Sequence, residues 1–167
     1  MVATVPTGAT ATVKELAGGQ FEIESSASSS GPIVVEVPGG VIELGPGDSL
    51  SLVAIDIKPG GVPNPIKLTK KGVVAVAILT TRGFDAAAVD PRSVCFGDAE
   101  DGLQRDCTEA HGRGHLEDVD RDNDLDLVLH YEALETGIDP GDAKACLTGE
   151  TMGGDVFAGC DSVVAMP

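Results

Sequence analysis

The first fifty residues alternate apolar and polar positions in short bursts. "ATVKEL", "QFEIES", "IVVEV" and "VIEL" place apolar side chains two apart, the period that covers one face of a pleated strand. "AGG", "SSASSSGP", "PGG" and "GPGD" separate these bursts with residues that favour turns. "SLSLVAIDI" continues as one further strand and leads into the rest of the chain with no clear linker on either side. The pattern divides the chain softly into a strand-rich N-terminal segment, residues 1–50, and a larger domain, residues 51–167.

In that domain "KPGGVPNPIKL" predicts a Pro/Gly-rich connection ending in a brief strand. "VVAVAILTT" is almost wholly apolar over strand length, as expected of a central strand buried on both faces. "FDAAAVDP" has room for one helical turn before Pro91, and "SVCFG" resumes as strand. A long acidic loop is expected from Asp98 to His115, then a strand in "LDLVLHYEAL" and a turn region in "ETGIDPGDA". "KACLTGETMGGDVFAGCDSVVAM" reads as a hairpin plus an edge strand. Many short strands, frequent turns and scant helical periodicity predict an all-β fold. The expected architecture is a β-sandwich, immunoglobulin-like or jelly-roll-like, with a metal loop inserted between strands.

Composition agrees and narrows the function. The 167 residues include 22 Gly and 10 Pro, and 42% are apolar, enough to bury a real core. A formal charge of −16 argues against binding a nucleic-acid backbone or an anionic membrane surface. No apolar run reaches the length of a membrane span. The acid is concentrated: residues 98–142 hold fifteen Asp or Glu against three Arg, a local net of −12. A general solubility adaptation would spread that charge over the surface, so this distribution marks a place.

Within it, "DVDRDNDLDLVL" sets Asp118, Asp120, Asp122, Asp124 and Asp126 at alternate positions before turning apolar. Calcium takes six to eight oxygen ligands, so a calcium loop needs alternating acids and a tight turn that curls them around one point. With Asp118 at position 1, Asp120 and Asp122 take positions 3 and 5. Asn123 takes the turn position, where glycine is usual and Asn is the best substitute. Asp124 would give its backbone carbonyl at position 7, and Asp126 would ligate at 9, directly or through water. Starting instead at Asp120 puts Leu125 at the turn and Val128 at position 9, which fails. Position 12 is Leu129, where a helix–loop–helix site needs a bidentate Glu, so this is a DxDxDGxxD-type loop feeding a strand. The missing ligand must come from elsewhere, with Glu117 and the 98–109 loop as candidates.

Other chemistry is thinly supplied. His111, His115 and His130 invite a zinc reading, but "HGRGH" lies in a predicted loop and lacks the helix that presents an HExxH pair. They are expected to be hydrogen-bonded structural histidines. No GxSxG, P-loop or GxGxxG occurs, and no catalytic residue is assigned: the expectation is a protein that is not an enzyme. With no Trp and only Tyr131, an aromatic platform for a sugar ring is poorly supplied. The four cysteines form no CxxC pair. Their grouping suits two local disulfides, Cys95–Cys107 and Cys146–Cys160, while the two other pairings stay open. Disulfides imply an oxidising compartment. "MVATVPTGAT" has neither the basic nor the apolar region of a signal peptide; with export expected from the disulfides, the leader is expected to have been removed.

From "IDIKPGGVPNPIKL" through "KGVVAVAILTTRGFDAAAVDP", "HLEDVDRDNDLDLVLHYEALETGI" and "LTGETMGGDVFAGCDSV", the chain resembles a β-sandwich module of secreted bacterial and archaeal surface or matrix proteins. Its acidic loop looks like a dockerin-type or integrin-type calcium loop. The resemblance covers roughly residues 53 to 164, with "HLEDV" to "DLVLH" and "LTGET" its most specific parts, and leaves the first fifty residues outside. It implies calcium at Asp118, Asp120, Asp122, Asp124 and Asp126, with Asn123 in place of the usual Gly, and it names no biochemical activity. The expected function is a non-enzymatic, extracellular, calcium- and disulfide-stabilised structural protein. It would self-associate as a subunit of a surface layer, adhesive or filament, with residues 1–50 free to pair with a neighbouring subunit. The alternative is an accessory module of a larger secreted assembly, recognising a polysaccharide or a protein.

Overall fold

The computed structural model describes all residues except 1, 16–19, 30, 38–39, 69–71, 99–106 and 108. In chain order the strands are β1 (Val2–Thr4), β2 (Ala11–Glu15), β3 (Phe21–Ser25), β4 (Ile33–Val37) and β5 (Gly40–Leu44). Next come β6 (Ser49–Leu52), β7 (Ile55–Ile57), β8 (Pro65–Lys67), β9 (Val73–Ile78) and β10 (Cys95–Asp98). The last five are β11 (His115–Glu117), β12 (Asp126–Glu132), β13 (Lys144–Glu150), β14 (Val156–Ser162) and β15 (Val164–Met166). The protein is all-β: among the described residues the only helix is one 3-10 turn, Ala86–Ala88, which the Asp85 side chain caps by accepting from the Ala87 N–H. It stands where "FDAAAVDP" predicted one turn. No helix among the described residues is long and apolar enough to cross a membrane.

A six-stranded sheet in the order β10-β13-β14-β6-β3-β2 is the backbone of the molecule. Neighbouring residues of a strand face opposite sides, and this sheet uses both. Phe96, Leu147 and Phe157 point to one side, into a core completed by Ile55, Ile57, Val74, Val76, Ile78, Leu127, Leu129 and Tyr131 of the four-stranded sheet β11-β12-β9-β7. Ile23, Leu50 and Ala158 point to the other side, into a second core with Ile33, Val35 and Leu44 of the three-stranded sheet β1-β4-β5. Two sandwiches are thus built back to back on one shared sheet. Strands β15 and β8 pair in parallel beside the first core, contributing Ala165 and Ile66.

"SLSLVAIDI" is not the single strand its alternation predicts. It is two: β6 lies in the six-stranded sheet beside β14 and β3, and β7 pairs with β9 in the opposing sheet. Leu50 serves the second core, whereas Val53, Ile55 and Ile57 serve the first, so the chain changes layers between them. Gly159 permits the crossing: a Cβ there would stand 2.8 Å from the Val53 carbonyl oxygen and 2.8 Å from Ile55 Cγ2. The N-terminal strands are taken up by their own chain, since β3 pairs with β6 (Ile23 opposite Leu50) and β6 with β14 (Leu50 opposite Val156).

Both local disulfides are present. Cys146 and Cys160 face each other across β13 and β14, and Cys95 at the start of β10 is joined to Cys107. The second of these links fixes where the chain enters the functional region. It ties residue 107 to the six-stranded sheet just before the chain crosses to β12 of the opposing one.

Candidate metal centre

The acidic loop is the tip of a hairpin. β11 pairs with β12, with Glu117 opposite Asp126, so residues 118–125 form the loop between the strands. The apolar switch after the aspartates is therefore the strand that anchors the loop: Leu127 and Leu129 enter the first core, while Asp126, Val128 and His130 face outward. Asn123 has φ +76° and adopts the left-handed conformation predicted for the turn; Arg121 shares it at φ +67°.

Asp126 closes the base of the loop. It is fully buried, its Oδ1 accepting from the Thr80 N–H at 2.9 Å and its Oδ2 from the Val119 N–H at 3.0 Å. The Thr80 hydroxyl donates to the Leu125 carbonyl at 2.7 Å, so Thr80, two residues past β9, holds the β12 side of the tip by two bonds, and Asp126 links it to Val119 on the other side. Further out, Asp120 accepts from the Asp122 N–H at 3.2 Å and Asp122 from the Asp124 N–H at 3.1 Å, a chain of Asx turns that curls the backbone.

This curling brings Asp118, Asp120 and Asp126 together, with one carboxylate oxygen of each within 4.8 Å of the others. That cluster could hold a metal ion. Asp122 and Asp124 lie in the same loop but outside the three-carboxylate group; Asp122 is exposed, and its Oδ1 accepts from the loop backbone. Glu117, opposite Asp126, has an exposed side chain whose carboxylate lies 3.4 Å from His115 Nε2. Of the 98–109 candidates, residues 99–106 and 108 lie outside the described residues.

The electrostatics mark the loop as short of positive charge. Withdrawal from water, then the Asp122 carboxylate and the Asp126 and Asp120 charges, push the Asp124 carboxyl up to about 6. Asp120 is raised by desolvation and by the charges of Asp122 and Asp126, against the opposing pull of the Asp122 N–H. Asp122 is lowered, chiefly by the Asp124 N–H. Asp118 Oδ1 and Asp124 Oδ1 are both shut off from solvent without a hydrogen-bond partner. A buried carboxylate oxygen with no donor is costly, and a bound cation removes that cost. The hard oxygen set fits a hard cation.

A second cluster joins two of the three histidines noted in the sequence, His111 and His130, to Glu109, a grouping the sequence did not predict. Glu109 is buried, and its carboxylate accepts from the backbone N–H groups of His111 (2.8 Å), Arg113 (2.9 Å) and His130 (3.2 Å). Burial raises its pKa, but these amides and the His111 ring outweigh it, and the carboxyl is lowered overall. His111 and His130 converge on it, giving a group of one carboxylate and two imidazoles with ligand atoms within 4.8 Å. The His115 ring stacks on His130 with centroids 5.5 Å apart and planes at 19°. The glycines of "HGRGH" have specific tasks here. Gly112 turns with φ +64°, and a Cβ on Gly114 would come within 2.6 Å of Leu127 and 2.9 Å of Leu129, so only glycine lets this segment lie against β12. The histidines themselves are visible in the sequence; their shared partner Glu109 is not, because it comes beside His130 only once Cys107 is tethered.

Between the clusters, the outer face of the four-stranded sheet carries a groove of about 400 Å³ whose walls include Pro59, Gly60, His115, Asp118, Arg121 and His130. No known protein family, curated protein or solved structure matches this chain, so its site is read from its own geometry.

Proposed function

We propose that this chain is a non-enzymatic, extracellular structural protein whose β-fold is completed by calcium at the 118–126 hairpin tip. In this reading it is a subunit of a surface layer, adhesive or filament. The observation that carries it is the pair of buried, donorless oxygens on Asp118 and Asp124, in a loop where Asp118, Asp120 and Asp126 already converge. Calcium suits the site because it accepts many carboxylate and carbonyl oxygens in flexible geometry. Asp126 is tied to β9, so an ion there would fasten the hairpin to the sandwich; this is a structural role, with no moving helix to signal through.

Two disulfides with no free cysteine support the extracellular assignment. Self-association is supported by the sheet edges. β2 borders the six-stranded sheet with Val13 exposed, and β5 borders the three-stranded sheet with Val41 exposed; such edges accept a further strand. Since β3 and β6 are already paired within the chain, the subunit contact would use these outer edges. The groove supports a second reading, an accessory module that recognises a polysaccharide or protein partner.

The decisive measurement is thermal unfolding with and without chelator. Calcium at a hundredfold excess over its Kd should stabilise the fold by about 2.7 kcal/mol, and chelation should remove that increment reversibly. A melting curve indifferent to chelator and to added calcium would sink the calcium assignment. Electron microscopy in calcium tests assembly: ordered polymers favour the subunit reading, and monomers that bind glycan favour the accessory module.

A further inference from the structure

We propose that Glu109, His111 and His130 form a second metal site, for a borderline divalent transition metal of the zinc class, independent of the aspartate loop. Three observations converge. The first is the donor set: two imidazoles and one carboxylate suit zinc and its neighbours, whereas calcium prefers oxygen alone. The second is spacing. His111 Nδ1 stands 3.4 Å and His130 Nδ1 4.0 Å from the same oxygen, Glu109 Oε1. Ligands on a tetrahedral ion with bonds near 2.0–2.1 Å lie about 3.4 Å apart, so small ring rotations bring all three to bonding distance.

The third is pre-organisation. Glu109 is held by three backbone N–H groups, with its side chain only 1% exposed. His130 sits on a central stretch of β12, paired with Ala75 of β9, and its ring is braced by the parallel His115 ring. Gly112 turns the chain so that the His111 ring meets His130 edge-on at 5.6 Å. A merely structural glutamate would need none of this. The amides already satisfy it, yet two imidazoles are aimed at one of its oxygens. Binding would replace the His111 Nδ1–Glu109 Oε1 contact by two bonds to the ion, with the neutral imidazole carrying its proton on Nε2. Three protein ligands leave a fourth position for water, and His130 also lines the groove on the outer face.

The cysteines do not compete for zinc, since all four are in disulfides. The test is calorimetric titration of zinc into the full chain in saturating calcium, which keeps zinc from the aspartates. The expected result is one zinc bound with a Kd in the micromolar range or tighter. His111→Ala and His130→Ala should each weaken it at least about 100-fold, beyond the roughly 10- to 100-fold cost of losing an outer hydrogen-bond partner. Asp120→Ala should leave zinc affinity unchanged, which separates this site from the calcium reading. Because His111 is exposed, its variant should retain the wild-type circular dichroism. If a His130 variant misfolds, cobalt(II) decides on the wild type: intense visible absorption of tetrahedral cobalt, displaced by one equivalent of zinc, supports the site. No zinc binding, or binding unchanged in His111→Ala, overturns it.

Discussion

The aspartate hairpin and the Glu109 cluster lie on the same outer face of one sheet, and both are built around a buried carboxylate, yet they are in opposite electrostatic condition. Asp126 and its neighbours gather like charges, and one buried oxygen each of Asp118 and Asp124 lacks a donor; Glu109 is surrounded by N–H groups. The first arrangement leaves oxygens that a cation would satisfy. The second already has its acceptor oxygens matched by backbone donors. Burial of a carboxylate therefore says little by itself. What matters is whether the backbone has already supplied the positive partners.

The sharpest way to break that contrast is to remove the Glu109 carboxylate. Glu109→Ala leaves three N–H groups without their acceptor. Those of exposed His111 and Arg113 can turn to water, so at about 1–3 kcal/mol per unpaired enclosed group the loss should be about 1–3 kcal/mol, in calcium or chelator alike. Urea unfolding checks it, and a loss under about 1 kcal/mol would mean that water replaces the carboxylate.

Asp120→Asn should behave differently, because the sign of its effect should depend on calcium. In calcium the variant loses a charged ligand and should melt lower, by about 2–4 °C for each kcal/mol of lost stabilisation. In chelator it relieves repulsion and should melt at or slightly above wild type. A lower melting point in both conditions would show that the loop is not frustrated without its ion.

The smallest expected difference is in acid. In chelator, Asp124 has a folded pKa of about 6 against an ordinary 3.8, so the folded state binds the extra proton and this contribution improves as pH falls from about 6 towards 4. Glu109 and His130 are both lowered from ordinary values of 4.5 and 6.5, so their contribution is present above those values and is lost as pH falls below them. For His130 the cause is burial first, then the charges of His115 and His111. Asp124→Asn in chelator should therefore steepen the acid loss between pH 6 and 4, and Glu109→Gln should flatten it below about 4.5. Melting temperatures across that range would show whether the two regions oppose each other.

Much of the fold was legible because strand periodicity and turn residues are local. "VVAVAILTT" gave β9, central between β7 and β12, and the final third gave the β13–β14 hairpin with β15 beyond it. The failure at "SLSLVAIDI" is physical: alternation reports that one face is apolar, but not that two halves of a strand serve different layers. The aspartate loop was legible for a related reason. All its acids lie within nine residues, and the alternation with its left-handed turn brings Asp118, Asp120 and Asp126 together, while Asp122 and Asp124 stay outside that group.

Sequence alone thus determined what depends on near neighbours: the strand pattern, the left-handed turn at Asn123 and the alternate spacing of the aspartates. Tertiary structure decided what depends on chain crossings. It joined Cys95 to Cys107, laid Glu109 against His130 and opened the two faces of one sheet to two cores. The physical reason is range. A turn or an Asx chelate is fixed by a few dihedral angles, whereas Glu109 meets His130 across 21 residues only after two sheets have packed and a disulfide has set where the crossing begins.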